Sequence, residues 1–157
     1  VLGLIVHAGA ERLAVPALAV VEVVPAVRLH PAAGAPPGVA GLAQYRGTVV
    51  PVVDLHRLAT GDECPVRLST RLVILDAPTG GGLKRLGLLV DRADELRDLP
   101  TFDARTGYAA PPADGQADLG PLLAVEGGVV RLPDLVALGR LAFGGSPVTP
   151  PMIGGPA

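Results

Sequence analysis

At 157 residues, 49% of them hydrophobic, the chain carries enough apolar material for one compact domain. A net charge of −2 excludes the basic face that nucleic acid demands, and the single cysteine, Cys64, excludes an internal disulfide and any multi-cysteine metal site. The apolar residues are mainly Ala, Val and Leu, interrupted by 21 Gly and 17 Pro, so no helix beyond two or three turns fits before residue 133 and short β-branched strands fit better.

In chain order, residues 1–7 read as an apolar strand, Gly9-Ala10 as a turn and 11–15 as the returning strand. Pro16 opens a single helical turn through 17–20, and 21–24 is a strand ending at Pro25, with 27–29 as its extension. Residues 30–38, rich in Pro and Gly, form a loop. Strands 39–43 and 48–53 then flank Tyr45-Arg46-Gly47 as a hairpin, with Gly47 near the turn. A brief helical turn over 54–59 and a polar loop over 60–65 follow. Strands 72–75 and 86–90 are joined through Pro78 and Gly80-Gly81-Gly82, and 93–99 is one more strand edged with charge. Residues 100–118 read as a surface loop, and 122–125 and 129–132 as a last hairpin across Gly127-Gly128. A helix over 134–141 places Leu135, Leu138 and Leu141 on one face behind Pro133, and 144–157 reads as a flexible Gly/Pro-rich tail after a domain spanning 1–143. About ten short strands at regular intervals imply an all-β barrel or sandwich, and closure would remove exposed apolar edges.

The most apolar stretch, 14–27, is broken by Pro16, Glu22 and Pro25 and is too short to span a bilayer. No basic leader or small-residue cleavage site marks the opening strand, so the expected compartment is the cytoplasm, without membrane insertion. His7, His30 and His56 lie in separate segments without zinc-ligand spacing, so neither metal nor cofactor is expected. Asp54 and His56 are the one close acid–imidazole pair; in a strand they would share a face and supply an acid–base pair in a barrel enzyme. The plainer reading makes Asp54 an acceptor for backbone N–H groups in the following turn and His56 solvated. Nucleophile-elbow, phosphate-loop and dinucleotide fingerprints are missing.

Three segments resemble the CheW-like family. Pro36-Pro37-Gly38-Val39-Ala40-Gly41-Leu42-Ala43-Gln44-Tyr45-Arg46-Gly47-Thr48-Val49-Val50-Pro51-Val52-Val53-Asp54-Leu55 is similar to that family's proline-rich approach, Gly-hydrophobic strand, Asn-x-Arg-Gly and Pro-hydrophobic-hydrophobic-Asp-Leu block, with Gln44 in place of Asn. Arg71-Leu72-Val73-Ile74-Leu75 before Leu86-Gly87-Leu88-Leu89-Val90-Asp91-Arg92-Ala93, and Val20-Val21-Glu22-Val23-Val24 upstream, resemble two further elements in the family's order and spacing. Tyr45 and Ser69-Thr70-Arg71 resemble the surface-sensing, Wsp-type branch.

The resemblance covers about residues 1–141. It implies an all-β fold of two intertwined five-stranded SH3-like barrels with a short C-terminal helix. It also implies a non-enzymatic adaptor of bacterial signal transduction, recruited to membrane-associated receptor arrays. One surface would bind the regulatory domain of a CheA-type histidine kinase and another the cytoplasmic tip of a chemoreceptor. By motif, Arg46 would contact the receptor, with Glu22, Val20, Val23 and Gly87 lining the same groove. The competing readings are the Asp54–His56 enzyme and a self-assembling barrel without a signalling partner.

Overall fold

The computed structural model describes residues 1–110 and 119–144. The expected tail beyond Gly144 and the second half of the 100–118 loop lie outside the described residues.

The chain opens with strands β1 (Leu2–Ala8) and β2 (Glu11–Pro16), which pair as an antiparallel hairpin around Gly9, whose φ of 61° suits glycine. Pro16 leads into one 3₁₀ turn, Ala17–Ala19, and the chain then leaves this sheet for a second one. There it lays down β3 (Val20–Pro25), β4 (Val39–Tyr45), β5 (Thr48–Asp54), helix α1 (Leu55–Thr60), β6 (Arg71–Thr79) and β7 (Gly82–Val90). It returns through Asp91 to the first sheet as β8 (Arg92–Asp98), β9 (Gly107–Tyr108), β10 (Leu122–Val125) and β11 (Gly128–Arg131), and the last described element is α2 (Leu135–Phe143).

The first sheet has the order β8-β1-β2-β11-β10-β9 and the second β3-β6-β7-β5-β4. Two pairings are parallel, β5 with β7 and β11 with β2. The second sheet curls until its edges meet: the segment after β3 pairs with β4 through a bridge between His30 and Leu42, their backbones exchanging hydrogen bonds of 2.8 and 2.9 Å. That contact replaces the expected extension of β3 over 27–29. The two intertwined SH3-like barrels are present, with one difference in strand number. The first sheet has six strands because Gly107–Tyr108, inside the expected loop, pairs with β10.

Each sheet has two apolar faces, and they build three cores. Alternate residues of both sheets, among them Val6, Leu13, Val15, Val53, Val73, Leu75, Leu88 and Val90, meet between the barrels. The opposite face of the second sheet gathers Ala43, Tyr45, Val50, Val52, Leu72, Ile74 and Leu89, and that of the first gathers Ile5, Ala14, Leu99, Leu123 and Val130. The near-continuous apolar runs of β6 and β7 follow, since a strand between two cores has no polar face. Helix α2 is capped by Asp134, which accepts from Val136 N at 2.9 Å, and it closes the shared core with Leu138, flanked by the half-buried Leu135 and Leu141.

Candidate functional site

The hairpin β4–β5 turns through two residues only, with Tyr45 opposite Thr48. Arg46 (φ 48°) and Gly47 (φ 79°) both occupy the left-handed region, the pattern of a type I′ turn. Arg46 is the sole non-glycine residue among those described with positive φ. The Thr48 hydroxyl donates to Tyr45 O at 2.8 Å and braces the turn. The Arg46 side chain thus projects from a rigid tip, with 71% of its surface exposed.

What aims it is Glu22, from the opposite edge of the sheet. Arg46 Nη2 donates to Glu22 Oε1 at 2.8 Å, and the Tyr45 hydroxyl donates to the same oxygen in a short bond. The guanidinium also lies over the Tyr45 ring, 5.2 Å from its centroid. Glu22 is on edge strand β3 and Tyr45 on edge strand β4, so the triad spans the seam where the barrel closes. Both donors use Oε1; among the described residues Glu22 Oε2 and the remaining guanidinium N–H groups stay open to a partner. The arrangement presents an acceptor beside a planar fork of donors, suited to backbone amides, carbonyls or carboxylates.

The other residues expected in this groove are Val20, Val23 and Gly87. A bulge in β3 between Val20 and Glu22 puts these two opposite Leu75 and Ile74, on opposite faces of the sheet. Val20 is therefore half-buried against the shared core, and Val23, opposite Val73, is 37% exposed at the edge. Gly87 is buried in the cross-strand row Glu22–Ile74–Gly87–Val52. A Cβ on Gly87 would meet Leu72 Cδ1 at 3.0 Å and Val52 Cγ2 at 3.2 Å, so this glycine serves packing inside the barrel.

The Asp54–His56 pair does not form. Asp54 is buried and caps α1: its Oδ1 accepts from Arg57 N at 3.0 Å and its Oδ2 from Cys64 N at 2.8 Å. His56 stands on the helix rather than in a strand, and it is half-buried, not solvated; its Nδ1 lies 2.7 Å from Asp91 Oδ2. Asp91 Oδ2 also accepts from Gly9 N at 2.7 Å, tying the second barrel to the turn of the first. Cys64 Sγ sits 3.9 Å from Asp91 Oδ1, so the fold brings together His56, Cys64 and Asp91, which sequence spacing kept apart. Burial, then the charges of Asp91 and Asp54, push the Cys64 thiol up to about 12.

The family model for the CheW-like domain matches residues 2–142. The chain belongs to the CheW-like family. Protein FrzA of Myxococcus xanthus is 34% identical over 117 residues, covering 74% of this chain and 68% of FrzA. The crystal structure of the scaffolding protein TtCheW from Thermoanaerobacter tengcongensis superposes with a TM-score of 0.70 at 20% identity, over 92% of this chain and 94% of that one. This CheW-like chain shares that fold, and among its described residues no helix is long and apolar enough to cross a membrane.

The structure brings together Arg46 and Glu22, both expected in one groove, and adds Tyr45, whose part the sequence did not signal. The Glu22 carboxylate, as acceptor of its hydroxyl, and burial hold the Tyr45 phenol above its ordinary value of 10.0. The bond's contribution to stability is therefore complete below the unfolded-state value and is lost as pH rises through the higher folded-state one. Spectrophotometric titration is expected to show a phenolate step above the ordinary tyrosine range. Tyr45→Phe removes that step and Glu22→Gln lowers it. An unchanged curve in Glu22→Gln means that the bond is not made in solution.

Proposed function

We propose that this CheW-like protein is a non-enzymatic adaptor that couples a chemoreceptor of the methyl-accepting type to a CheA-type histidine kinase in bacterial signal transduction. The observation that carries it is the Glu22–Tyr45–Arg46 seam, where an exposed guanidinium stands on a two-residue turn, aimed by a carboxylate from the other edge of the barrel. A receptor's helical tip offers the matching chemistry: carboxylates and helix-end carbonyls for the fork, and apolar side chains for the edge bearing Val23. A second surface takes the regulatory domain of the kinase, and the complex assembles in the cytoplasm at membrane-associated receptor arrays. An adaptor role also accords with the chemistry of the interior, where both Asp54 oxygens are occupied by backbone donors.

Two binding measurements test this reading. Calorimetric titration with the cognate kinase regulatory domain is expected to give a Kd of roughly micromolar strength, as transient interfaces of modest area do. A receptor-tip fragment is expected to retain the protein in a pull-down whether or not the kinase domain is present. No heat and no shift in size exclusion at high concentration, together with no retention by the tip, would overturn the adaptor assignment.

A further inference from the structure

The junction between the barrels holds a set of donors that the seam does not use. His56 comes from α1, Cys64 from the segment that follows it and Asp91 from the crossing between β7 and β8. One ligand atom from each lies within 4.8 Å of the other two, and all three side chains are buried or half-buried. We propose that His56, Cys64 and Asp91 form a binding site for a borderline-soft divalent cation of the zinc class.

The donor set and its occupancy support this. Sulfur, imidazole nitrogen and carboxylate oxygen are the three ligand types that zinc accepts, at about 2.0–2.3 Å. Tetrahedral bonds of that length put ligand atoms roughly 3.5 Å apart. Cys64 Sγ lies 3.9 Å from Asp91 Oδ1, near that value, and the His56 ring already meets the same carboxylate, its Nδ1 2.7 Å from Oδ2, so a rotation of the imidazole would carry Nδ1 toward Oδ1 and the sulfur. Asp91 divides its work between its two oxygens. Oδ2 holds Gly9 N–H and faces His56 Nδ1, whereas Oδ1 faces, among the described residues, the weakly donating thiol. That Oδ1, Cys64 Sγ and His56 Nδ1 would be the ligands, with water in the fourth position.

Electrostatics favour a cation here. Two carboxylates flank the cysteine: Asp54 Oδ2 accepts from Cys64 N at 2.8 Å and Asp91 Oδ1 lies 3.9 Å from Cys64 Sγ. On binding, the thiol proton would leave to solvent as the metal–sulfur bond forms, and the His56 ring proton would sit on Nε2 while Nδ1 ligates. Because Asp91 keeps Gly9 N–H, the cation would fasten α1 and the Cys64 segment to the point where the chain passes between barrels.

The test is a titration of the full chain, stripped with a chelator, first with Co²⁺ and then with Zn²⁺. The expected result is a thiolate-to-cobalt absorption band in the near ultraviolet with tetrahedral visible bands, saturating at one cation per chain and displaced by zinc. At about a hundredfold excess of zinc over its Kd, the melting midpoint is expected to rise by roughly 5–10 °C. Cys64→Ser should remove the near-ultraviolet band. His56→Gln should keep the band but weaken binding at least about tenfold. Circular dichroism checks that both variants fold, and if Cys64→Ser does not, His56→Gln decides. No thiolate band in the folded wild type at excess cobalt, or binding unchanged in His56→Gln, overturns the site.

Discussion

Arg46→Glu is expected to abolish retention by a receptor-tip fragment while leaving the fold and kinase-domain binding intact. The guanidinium is 71% exposed, and its ion pair with Glu22 is a surface pair worth about 0–1 kcal/mol. Glutamate at the same left-handed turn position has no greater backbone cost than arginine, because both carry a Cβ and neither is β-branched. A new carboxylate beside Glu22 adds a mild repulsion, which Tyr45 and Thr48 absorb by still bracing the hairpin. The melting midpoint should therefore move by no more than about 3 °C. At a partner surface the same change removes a charge-assisted donor fork and inserts a repulsive group, a loss of roughly 2–5 kcal/mol and so more than tenfold in affinity. A melting midpoint lowered by many degrees would make Arg46 a structural residue. Undiminished receptor retention would move the groove elsewhere.

Most of the architecture was legible because local chemistry agreed with the fold. Gly9, Gly47 and Gly127 mark hairpins by their positive φ, and Asp54 and Asp134 mark the starts of the two helices. Strand ends were less legible where pairing outran hydrophobicity. Strands β6 and β7 run to Thr79 and Gly82, well past the apolar cores at 72–75 and 86–90. Their outer half is a two-stranded ribbon carrying the cross-strand pair Asp76–Arg85, with Arg85 Nε 3.3 Å from Asp76 Oδ1. Pro78 is tolerated there because β3 pairs with β6 only as far as Leu75, so one edge of β6 needs no donor. Strand β9, two residues long, has no periodicity to read.

The candidate site was half legible. Arg46 and Glu22 are named by motif, but Tyr45 and Glu22 lie 23 residues apart and meet only because the sheet closes on itself. A one-residue bulge at Val21, silent in the sequence, set Val20 and Glu22 on opposite faces. His56 and Asp91, 35 residues apart, meet at a crossing between barrels that no spacing rule describes.

Asp54→Ala carries the largest stability loss expected from a single polar side chain here. Asp54 is 4% exposed, and each of its oxygens satisfies one backbone donor, Arg57 N and Cys64 N. Removing a helix cap costs about 0.5–2 kcal/mol, and a buried donor left unpaired costs about 1–3 kcal/mol. Together they come to roughly 1.5–5 kcal/mol, which for a chain of this size lowers the melting midpoint by about 3–20 °C. Asp54→Asn retains one carbonyl acceptor and should recover about half of the loss. The damage should stay local to α1 and the Cys64 segment, since the Arg46 turn at the other end of β5 is braced by Tyr45 and Thr48. Below its own melting transition, Asp54→Ala should therefore still bind a receptor tip with nearly wild-type affinity, the opposite pattern to Arg46→Glu. Thermal and urea melts followed by circular dichroism measure the first effect, and the pull-down measures the second. A midpoint lowered by less than about 2 °C would show that water or another acceptor already serves both N–H groups, and that Asp54 is not what holds this corner of the barrel together.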